Sequence, residues 1–483
     1  MFNKLRKNMR GIVIVVAIAF VASLFYGGIS AYLANKSGQT AMAQNIAVVN
    51  GQGIPWAVFL ENLQFNLQQQ EMLGARVTPM LVQAARYNTM EGLINEVLLL
   101  QEAKRQKISV SRKEVNARLD EIKASFPSEE IFREQLQLSN LTENTFRSLL
   151  EDSLKVEKVL ANLRQEVTIT EEEIERAYEE VNAAHILIKP DGEGEEALEA
   201  ARSQGEEILA QLAAGADFAE LARNYSQDEG TREAGGELGF FSRGQMVAPF
   251  EEAAFALEVG EVSELVESQY GYHIIKVLDR KTADDEEYAE VRDSLGERLR
   301  NQKVDQATRD FLQGLREQAD VVVHDPQIRA HGLLIQGDLD GAIDEYQLAV
   351  ENQPEDAYLR VTLAQAYIEK EAYEEGVAQL EKAIEQVDSD AQLHLLLGLT
   401  YLEVEREDDA VQSFLRASER APYDFLTQLQ VSGLLRQMDR MEEVEIVDER
   451  IEELKVQLEE QMRSMEEEAM EQEEAETEED ALP

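Results

Sequence analysis

The chain has 483 residues, of which 44% are hydrophobic, and its formal net charge is −50. This length predicts several domains with sizeable cores, while the charge argues against nucleic-acid binding because phosphate groups would be repelled. The complete lack of cysteine excludes disulfides, thiol nucleophiles and cysteine-based metal sites.

The amino terminus has the pattern of a membrane anchor. Residues 1–10 carry four basic side chains and no acid, and residues 11–33 carry no charge. Such a run can cross a hydrocarbon core about 30 Å thick. We predict a cytoplasmic segment over 1–10, a single transmembrane helix over 11–33, and the bulk of the chain on the extracytoplasmic side. The alternative is a signal peptide cleaved near the small residues at 41–43, and the chain is exported in both cases.

Residues 45–181 predict a mostly helical module. The segment NIAVVNGQGIPWAV at 45–58 indicates a short strand, a turn and a helix start. Ser111, three residues before Glu114, has the spacing of a capping box, and Thr170 begins another helix in the same way. The module is interpreted either as a packed helical domain alone or as one that also offers an apolar cradle to unfolded chains.

Residues 282–326 are predicted to complete this module. They begin as a charged helix and end near Val321-Val322-Val323, which is a candidate for a short strand. We expect this strand to pair with Ala47-Val48-Val49. The chain would then return to its amino-terminal module after an inserted domain.

Residues 182–281, between these two segments, predict a compact mixed α/β domain. Short β-type runs occur at 184–188 and 273–278, with helical patterns between them. Glycines cluster at 235–244, where turns are expected.

Residues 327–445 contain an internal repeat of 34 residues, and the spacing resembles that of tetratricopeptide repeats. Small side chains let paired helices approach, and large ones fill the space between them. The equivalent positions are Ala330, Ala364 and Gly398; Ala342, Gly376 and Ala410; Tyr346, Leu380 and Phe414; and Ala349, Ala383 and Ala417. The resemblance implies an all-α solenoid that binds a protein partner, with a degenerate fourth unit near 425–441 as its cap. Residues 446–483 are predicted to form an acidic helical or disordered tail.

Five sequence blocks of residues 182–281 resemble the parvulin family, in the family's order and spacing. They read AAHILIKP at 183–190, FAELARNYSQD at 218–228, GGELGFFSRGQMVAPFEEAAFAL at 235–257, VGEV at 259–262 and YGYHIIKV at 270–277. The resemblance implies a peptidyl-prolyl cis/trans isomerase, or rotamase, that uses no cofactor and no metal. Three further histidines are too scattered to indicate a metal site: His324, His331 and His394.

The chemistry of this activity can be stated independently of the resemblance. Rotation about an X–Pro bond must break amide resonance, a barrier of about 20 kcal/mol. No covalent step is needed, because a catalyst can hold the proline ring in an apolar slot and favour the twisted amide. Large apolar residues beside a few aimed polar groups are therefore expected.

The resemblance assigns such a set of site residues. The catalytic polar groups it implies are His185, Asp228 and His273. The proline pocket it implies is lined by Leu238, Met246 and Phe250. Supporting positions are Tyr225, Ser226 and Tyr270. Two points are open here: whether the histidines act in catalysis or maintain a hydrogen-bond network, and whether Tyr270 contributes its hydroxyl or only its ring.

The loop after the first strand of this domain departs from one branch of the family. Phosphate-specific parvulins carry a basic cluster there, whereas residues 189–200 read KPDGEGEEALEA. The acids would repel a phosphate, so we predict no preference for phosphorylated Ser/Thr-Pro bonds.

The overall layout resembles the exported chaperone-isomerases of the SurA, PrsA and PpiD kind. The predicted fold class is multidomain: a transmembrane helix, a mostly helical chaperone-like module, an α/β parvulin domain and a tetratricopeptide solenoid. The predicted function is prolyl isomerisation and chaperoning of unfolded exported proteins outside the bacterial cytoplasmic membrane. The alternative is a catalytically silent chaperone or scaffold that binds clients or assembly partners. The acidity fits either a saline habitat or attraction of basic clients.

Overall fold

The computed structural model describes residues 45–75, 77–138 and 141–480. The predicted membrane helix at 11–33 lies outside these residues. Within the described part of the chain, no helix is long and apolar enough to cross a membrane. The chain separates into two compact units, one joining residues up to Val159 with those from Gly314 onward, and the other Leu160–Gln313.

The described residues form two small sheets and many helices, in agreement with the predicted multidomain fold class. The strands are β1 (Asn45–Val49), β2 (Gln52–Pro55), β3 (Glu180–Ile188), β4 (Glu237–Ser242), β5 (Val266–Ser268), β6 (Gly271–Lys281) and β7 (Val321–Val323). The helices before β4 are α1 (Trp56–Met72), α2 (Pro79–Arg105), α3 (Arg112–Ser125), α4 (Glu129–Leu138), α5 (Glu143–Glu166), α6 (Glu171–Tyr178), α7 (Glu195–Ala213) and α8 (Phe218–Tyr225). The later helices are α9 (Ala248–Ala256), α10 (Glu286–Glu317), α11 (Pro326–Ile335), α12 (Leu339–Asn352), α13 (Ala357–Glu369), α14 (Tyr373–Gln386), α15 (Ala391–Glu403), α16 (Glu407–Arg420), α17 (Phe425–Gln437) and α18 (Met441–Asp480).

The first sheet joins distant parts of the chain, as predicted for the valine run at 321–323. β1 pairs with β2 and also antiparallel with β7, so that Ala47 lies opposite Val323. The predicted turn at Asn50 and Gly51 has positive φ at both residues, which suits a tight two-residue hairpin. The predicted helix begins at Trp56, directly after Pro55, but β2, the four-residue strand between the turn and this helix, was not predicted.

The helices of the amino-terminal module bury two apolar cores. Phe59, Met90 and Ile94 lie in the core beneath the first sheet, and Leu119 and Phe146 lie in a second core built by α3, α4 and α5. The predicted capping box of Ser111 and Glu114 is present at the start of α3. The equivalent box between Thr170 and Glu173 starts α6.

The repeats form four helix pairs, α11–α12 to α17–α18. Equivalent helices begin 34 residues apart, at Ala357, Ala391 and Phe425 for the first helices of the last three pairs. Small residues are needed between the two helices of a pair: a Cβ on Gly398 would lie 2.5 Å from the Phe414 ring. The acidic tail was predicted to be helical or disordered. It continues α18 as a helix to Asp480.

Helix α2 of the amino-terminal module packs against the repeats, within the same unit. It contacts α11 and α13, the first helices of the first two pairs. The Arg86 guanidinium pairs with the Asp325 carboxylate, which also caps α11. The Tyr87 and His331 rings lie with their centroids 5.5 Å apart. The array is therefore fixed to the module by buried contacts.

The second unit is built on the predicted α/β domain. Its antiparallel sheet has the strand order β4-β3-β6-β5. One core contains Ile186, Ile208 and Ile274, where α7 and α8 pack on the sheet, and the other contains Phe241 and Phe250, where α9 packs.

Candidate functional site

The two central strands bring the predicted histidines together. β3 and β6 pair antiparallel, with His185 opposite Ile275 and Leu187 opposite His273. His185 and His273 are thus diagonal neighbours on one face of the sheet. Their rings stack with centroids 5.5 Å apart, and their Nδ1 atoms are 3.3 Å apart. Both side chains are buried.

The loop after α8 places the predicted acid beside these rings. Asp228 Oδ2 lies 2.8 Å from His185 Nε2. Ser226, which is buried, accepts hydrogen bonds from the backbone NH groups of Leu187 and Asp228 and so ties the loop to β3. The Thr231 hydroxyl donates to the same Asp228 oxygen. Strand β3 and the loop after α8 therefore hold one carboxylate–imidazole pair in place.

The hydrogen bonds form one continuous chain from Asp228 to Tyr270. A carboxylate only accepts, so His185 Nε2–H donates to Asp228. When His185 is neutral, its Nδ1 accepts from His273 Nδ1–H. His273 Nε2 then accepts from the Ser268 hydroxyl 2.7 Å away. Ser268 in turn accepts from the Tyr270 backbone NH. The Ser268 hydroxyl also lies 3.3 Å from the Gly271 carbonyl oxygen, so it joins the two histidines to the turn between β5 and β6.

Burial and hydrogen bonding set the charges of this cluster. Burial, together with the neighbouring His185, lowers the pKa of His273 to about 4, so its ring is neutral at neutral pH. Burial alone would raise the pKa of Asp228. Hydrogen bonds from Thr231 and His185 outweigh this effect and hold the pKa of Asp228 below its ordinary value. The cluster therefore contains one carboxylate, at Asp228, and one neutral imidazole ring, at His273.

An apolar surface adjoins the polar cluster. Phe250 is only 3% exposed, and its ring meets His185 and His273 edge-on at centroid distances of 5.7 and 5.3 Å. Leu238 and Met246 are partly buried and pack into the same core cluster as Phe250. The structure thus brings together all three residues that were predicted to line a proline pocket.

The supporting residues divide into those that hold the loops and those at the surface. Ser226 is buried in the network described above, whereas Tyr225 and Tyr270 have exposed side chains. Tyr270 contributes its backbone NH to Ser268, and its side chain is 56% exposed.

Sequence reasoning missed Thr231, Ser268 and Gly236. Gly236 accepts the His185 backbone NH, and a Cβ there would lie 2.2 Å from the His185 carbonyl oxygen. The signals were a hydroxyl three residues after Asp228, a hydroxyl five residues before His273 and a glycine pair.

Comparison with protein families identifies the class of protein. Residues 167–281 match the family of PPIC-type PPIase domains, and residues 1–160 match the SurA-like N-terminal domain. Residues 333–400 and 391–424 match tetratricopeptide repeats. The chain is thus a parvulin-type peptidyl-prolyl isomerase with a SurA-like amino-terminal domain and carboxy-terminal repeats.

Individual relatives narrow the class to one family. The foldase protein PrsA of Caldanaerobacter subterraneus subsp. tengcongensis is 32% identical over 54% of this chain and 81% of its own length. The foldase protein PrsA of Halalkalibacterium halodurans is 35% identical over 53% of this chain and 75% of its own length. A crystal structure of the PrsA peptidylprolyl isomerase from Bacillus cereus is 28% identical, covering 59% of this chain and 96% of that chain with a TM-score of 0.30. The chain belongs to the PrsA foldase family.

Proposed function

We propose that His185, Asp228 and His273 perform the prolyl isomerisation, with the proline ring held against Leu238, Met246 and Phe250. The observation that carries this proposal is the contact of the Phe250 ring with both histidines, because it joins an apolar slot to a directed hydrogen-bond chain. Tyr225 and Ser226 support the Asp228 loop, and Tyr270 holds Ser268 through its backbone.

The charge of Asp228 suggests how the barrier is lowered. In a planar amide the carbonyl oxygen carries partial negative charge, which decreases when the C–N bond twists. A carboxylate held near that oxygen destabilises the planar amide more than the twisted one, so it stabilises the transition state relative to the ground state. The hydrogen bonds from His185 and Thr231 keep Asp228 oriented. No proton transfer or covalent intermediate is needed.

The remaining modules extend this activity to folding assistance. We assign residues 45–181 and 282–326 to a chaperone module that holds unfolded or nascent exported chains, and 182–281 to the isomerase domain. Residues 1–10 and 11–33 are assigned to a cytoplasmic segment and a membrane helix, which place the bulk of the chain on the extracytoplasmic side in the periplasm or cell-wall space. Residues 327–445 bind a protein partner, and 446–483 form the acidic tail.

The test is cis/trans exchange of an Ala-Glu-Pro-Phe peptide by residues 45–483, which contain every described core. Exchange by the parent protein that is strongly reduced in Asp228→Ala and less reduced in Met246→Ala supports the proposed roles. If the parent protein has a native circular dichroism spectrum but catalyses no exchange, the proposed catalytic roles are wrong. The protein would then be a chaperone or scaffold without isomerase activity. Suppression of aggregation that is unchanged in Asp228→Ala would assign client holding to the helical module.

A further inference from the structure

One carboxylate outside the polar cluster contacts two arginines of the isomerase domain. Glu179 lies between α6 and β3. Its Oε2 lies 2.8 Å from Arg243 Nη2, and its Oε1 lies 3.6 Å from Arg280 Nη1. The three side chains are between 19% and 31% exposed, so water and salt screen their attraction only in part. The two arginines come from the segments that flank α9, the helix that carries Phe250.

Arg243 belongs to the segment that enters α9. It lies in the loop at 243–247 between β4 and α9, and Met246 lies in the same loop. The Arg243 guanidinium is 4.0 Å from the centre of the Phe255 ring on α9, within the range of a cation–π contact. The pair with Glu179 therefore holds the loop that carries Met246 against the helix that follows it.

Arg280 holds the segment that leaves α9. From β6, its Nη2 donates to the carbonyl oxygens of Phe255 and Leu257, at 2.9 and 2.7 Å. The last carbonyl groups of a helix have no donor within the helix, and a cation is favoured beside them. The second oxygen of Glu179 lies beside this guanidinium, so one carboxylate joins both flanks of α9.

Helix α9 carries the apolar side of the site. It is only nine residues long, so it is expected to move as one body when either flank moves. The Phe250 ring on α9 meets the rings of His185 and His273, and Met246 stands just before the helix. The gap between the proline pocket and the polar cluster therefore depends on where α9 is held.

Glu179 acts at a distance from the substrate. It precedes His185 by six residues of largely extended chain, which span about 20 Å. Asp228 is held by separate contacts, from β3 and from the loop after α8. A change at Glu179 is therefore expected to move the apolar side of the site and to leave the carboxylate of Asp228 in place.

We propose that Glu179 is a positioning residue for prolyl isomerisation, which sets the proline pocket against the polar cluster by holding α9 through Arg243 and Arg280. This inference rests on the proline pocket proposed above and adds a residue that lies outside it. The charge of Glu179 then contributes to binding of the proline ring rather than to twisting of the amide.

The kinetic test measures kcat and KM for the Ala-Glu-Pro-Phe peptide in residues 45–483. Glu179→Gln keeps the size of the side chain and removes its charge. We expect KM to rise about three- to tenfold, with kcat within about twofold of the parent value, because the pocket is displaced while Asp228 is not. Glu171→Gln is the matched control, since it breaks an ion pair with Arg292 at the other end of α6 and should change neither constant.

A second readout does not depend on catalysis. In protein labelled with ¹³C-methyl methionine, the Met246 signal is assigned from its loss in Met246→Leu. We expect this signal to shift in Glu179→Gln and to keep its position in Glu171→Gln. Circular dichroism checks the fold of each variant.

The outcomes separate this inference from the proposed function. Parental KM and an unmoved Met246 signal in Glu179→Gln, in an active protein, would overturn the positioning role and leave the proposed function intact. Equal rises of KM in Glu179→Gln and Glu171→Gln would overturn it in favour of general loosening of the unit. If the parent protein catalyses no exchange, the proposed function fails. An unmoved Met246 signal in Glu179→Gln would then overturn the positioning of the loop as well, and a shifted signal would support it.

Discussion

The Nδ1 atoms of His185 and His273 lie 3.3 Å apart although the residues are 88 positions apart in the chain. Because His185 also contacts Asp228, the pair links the sheet to the loop that carries the acid. The same two rings pack on Phe250. A change at any one of these residues is therefore expected to reach the others through direct contact.

Removing the carboxylate should reduce catalysis rather than substrate binding. We expect Asp228→Ala to lower kcat/KM for a prolyl peptide about 10- to 100-fold, mainly through kcat, since the negative charge acts on the twisting amide. NMR exchange spectroscopy measures both constants. Asp191→Ala, which removes an exposed acid from the neighbouring loop, is the control. A loss confined to KM would contradict the electrostatic role of Asp228.

The Thr231 hydroxyl should lower the pKa of Asp228 without being essential for catalysis. Thr231→Val removes the hydroxyl that donates to Asp228, so the pKa of Asp228 should rise. We expect a decrease in kcat/KM of about three- to tenfold at neutral pH, together with an acidic limb of the pH–rate profile that moves to higher pH. An unchanged limb would show that Thr231 positions the loop without affecting the charge of Asp228.

The low pKa of His273 makes the isomerase domain acid-sensitive. The pKa of about 4 in the folded state lies below the ordinary value of 6.5, so between these values the unfolded state binds more protons. The free energy of unfolding should therefore fall as pH is lowered from about 6.5 to 4, by an amount of the order of 2 kcal/mol. Urea unfolding followed by circular dichroism, compared with fluorescence of the single Trp56 in the other unit, isolates this transition.

Two variants control for other titrating groups. In His273→Gln the difference between pH 7 and pH 4 should shrink, because the depressed imidazole is gone. The exposed His324 serves as the reference, and His324→Gln should leave the difference unchanged. An identical pH dependence in all three proteins would assign the acid sensitivity to groups other than His273.

The Met246 side chain should contribute more to substrate binding than to the free energy of unfolding. Its side chain is partly buried against the Phe250 cluster, so Met246→Ala is expected to raise KM several-fold and to cost less stability than truncation of a fully buried residue. Phe250→Ala should instead lower the free energy of unfolding by about 3–5 kcal/mol. Met72→Ala, at an exposed position, should alter neither quantity. If Met246→Ala keeps the KM of the parent protein, Met246 does not line the proline pocket.

The buried ion pair between α2 and the repeats should be costly to break. Arg86→Ala leaves the Asp325 carboxylate, only 3% exposed, without its cation, and should lower the free energy of unfolding by about 3–5 kcal/mol. Trp56 fluorescence during urea unfolding reports on this unit. Arg133→Ala breaks a surface pair with Glu129 and should cost far less stability, because both side chains are exposed to water. Similar losses in the two variants would mean that Arg86 is not a buried anchor.

Phosphorylation of the residue before proline should give no advantage. The loop after β3 carries exposed acids, and Glu195 and Glu196 occupy the first turn of α7, where a phosphate would otherwise be favoured. We expect kcat/KM for a phosphoserine-proline peptide to be no higher than for the glutamate-proline peptide. A tenfold preference for the phosphopeptide would contradict this reading of the loop.

The site was predicted best from the sequence where a motif identifies both a functional residue and the strand that carries it. His185 and His273 occur in strand patterns that β-pairing brings together, and the valine run at 321–323 was correctly matched with β1. Ser268 and Thr231 were missed because their roles depend on loop geometry rather than on periodicity. The packing of Gln83 on Gln327 was also missed, because two ordinary glutamines 244 residues apart carry no signal of contact.

The pairing of β1 with β7 has a consequence for the order of folding. Asn50 and Asp320 exchange hydrogen bonds across 270 residues, so the first sheet cannot be completed until the chain has been made as far as Val323. The isomerase domain lies entirely inside that interval as one continuous segment. Contacts of such high sequence separation form slowly, whereas a continuous domain can fold as soon as it emerges. The catalytic domain is therefore expected to reach its native structure before β7 pairs with β1 and completes the sheet of the module that flanks it in sequence.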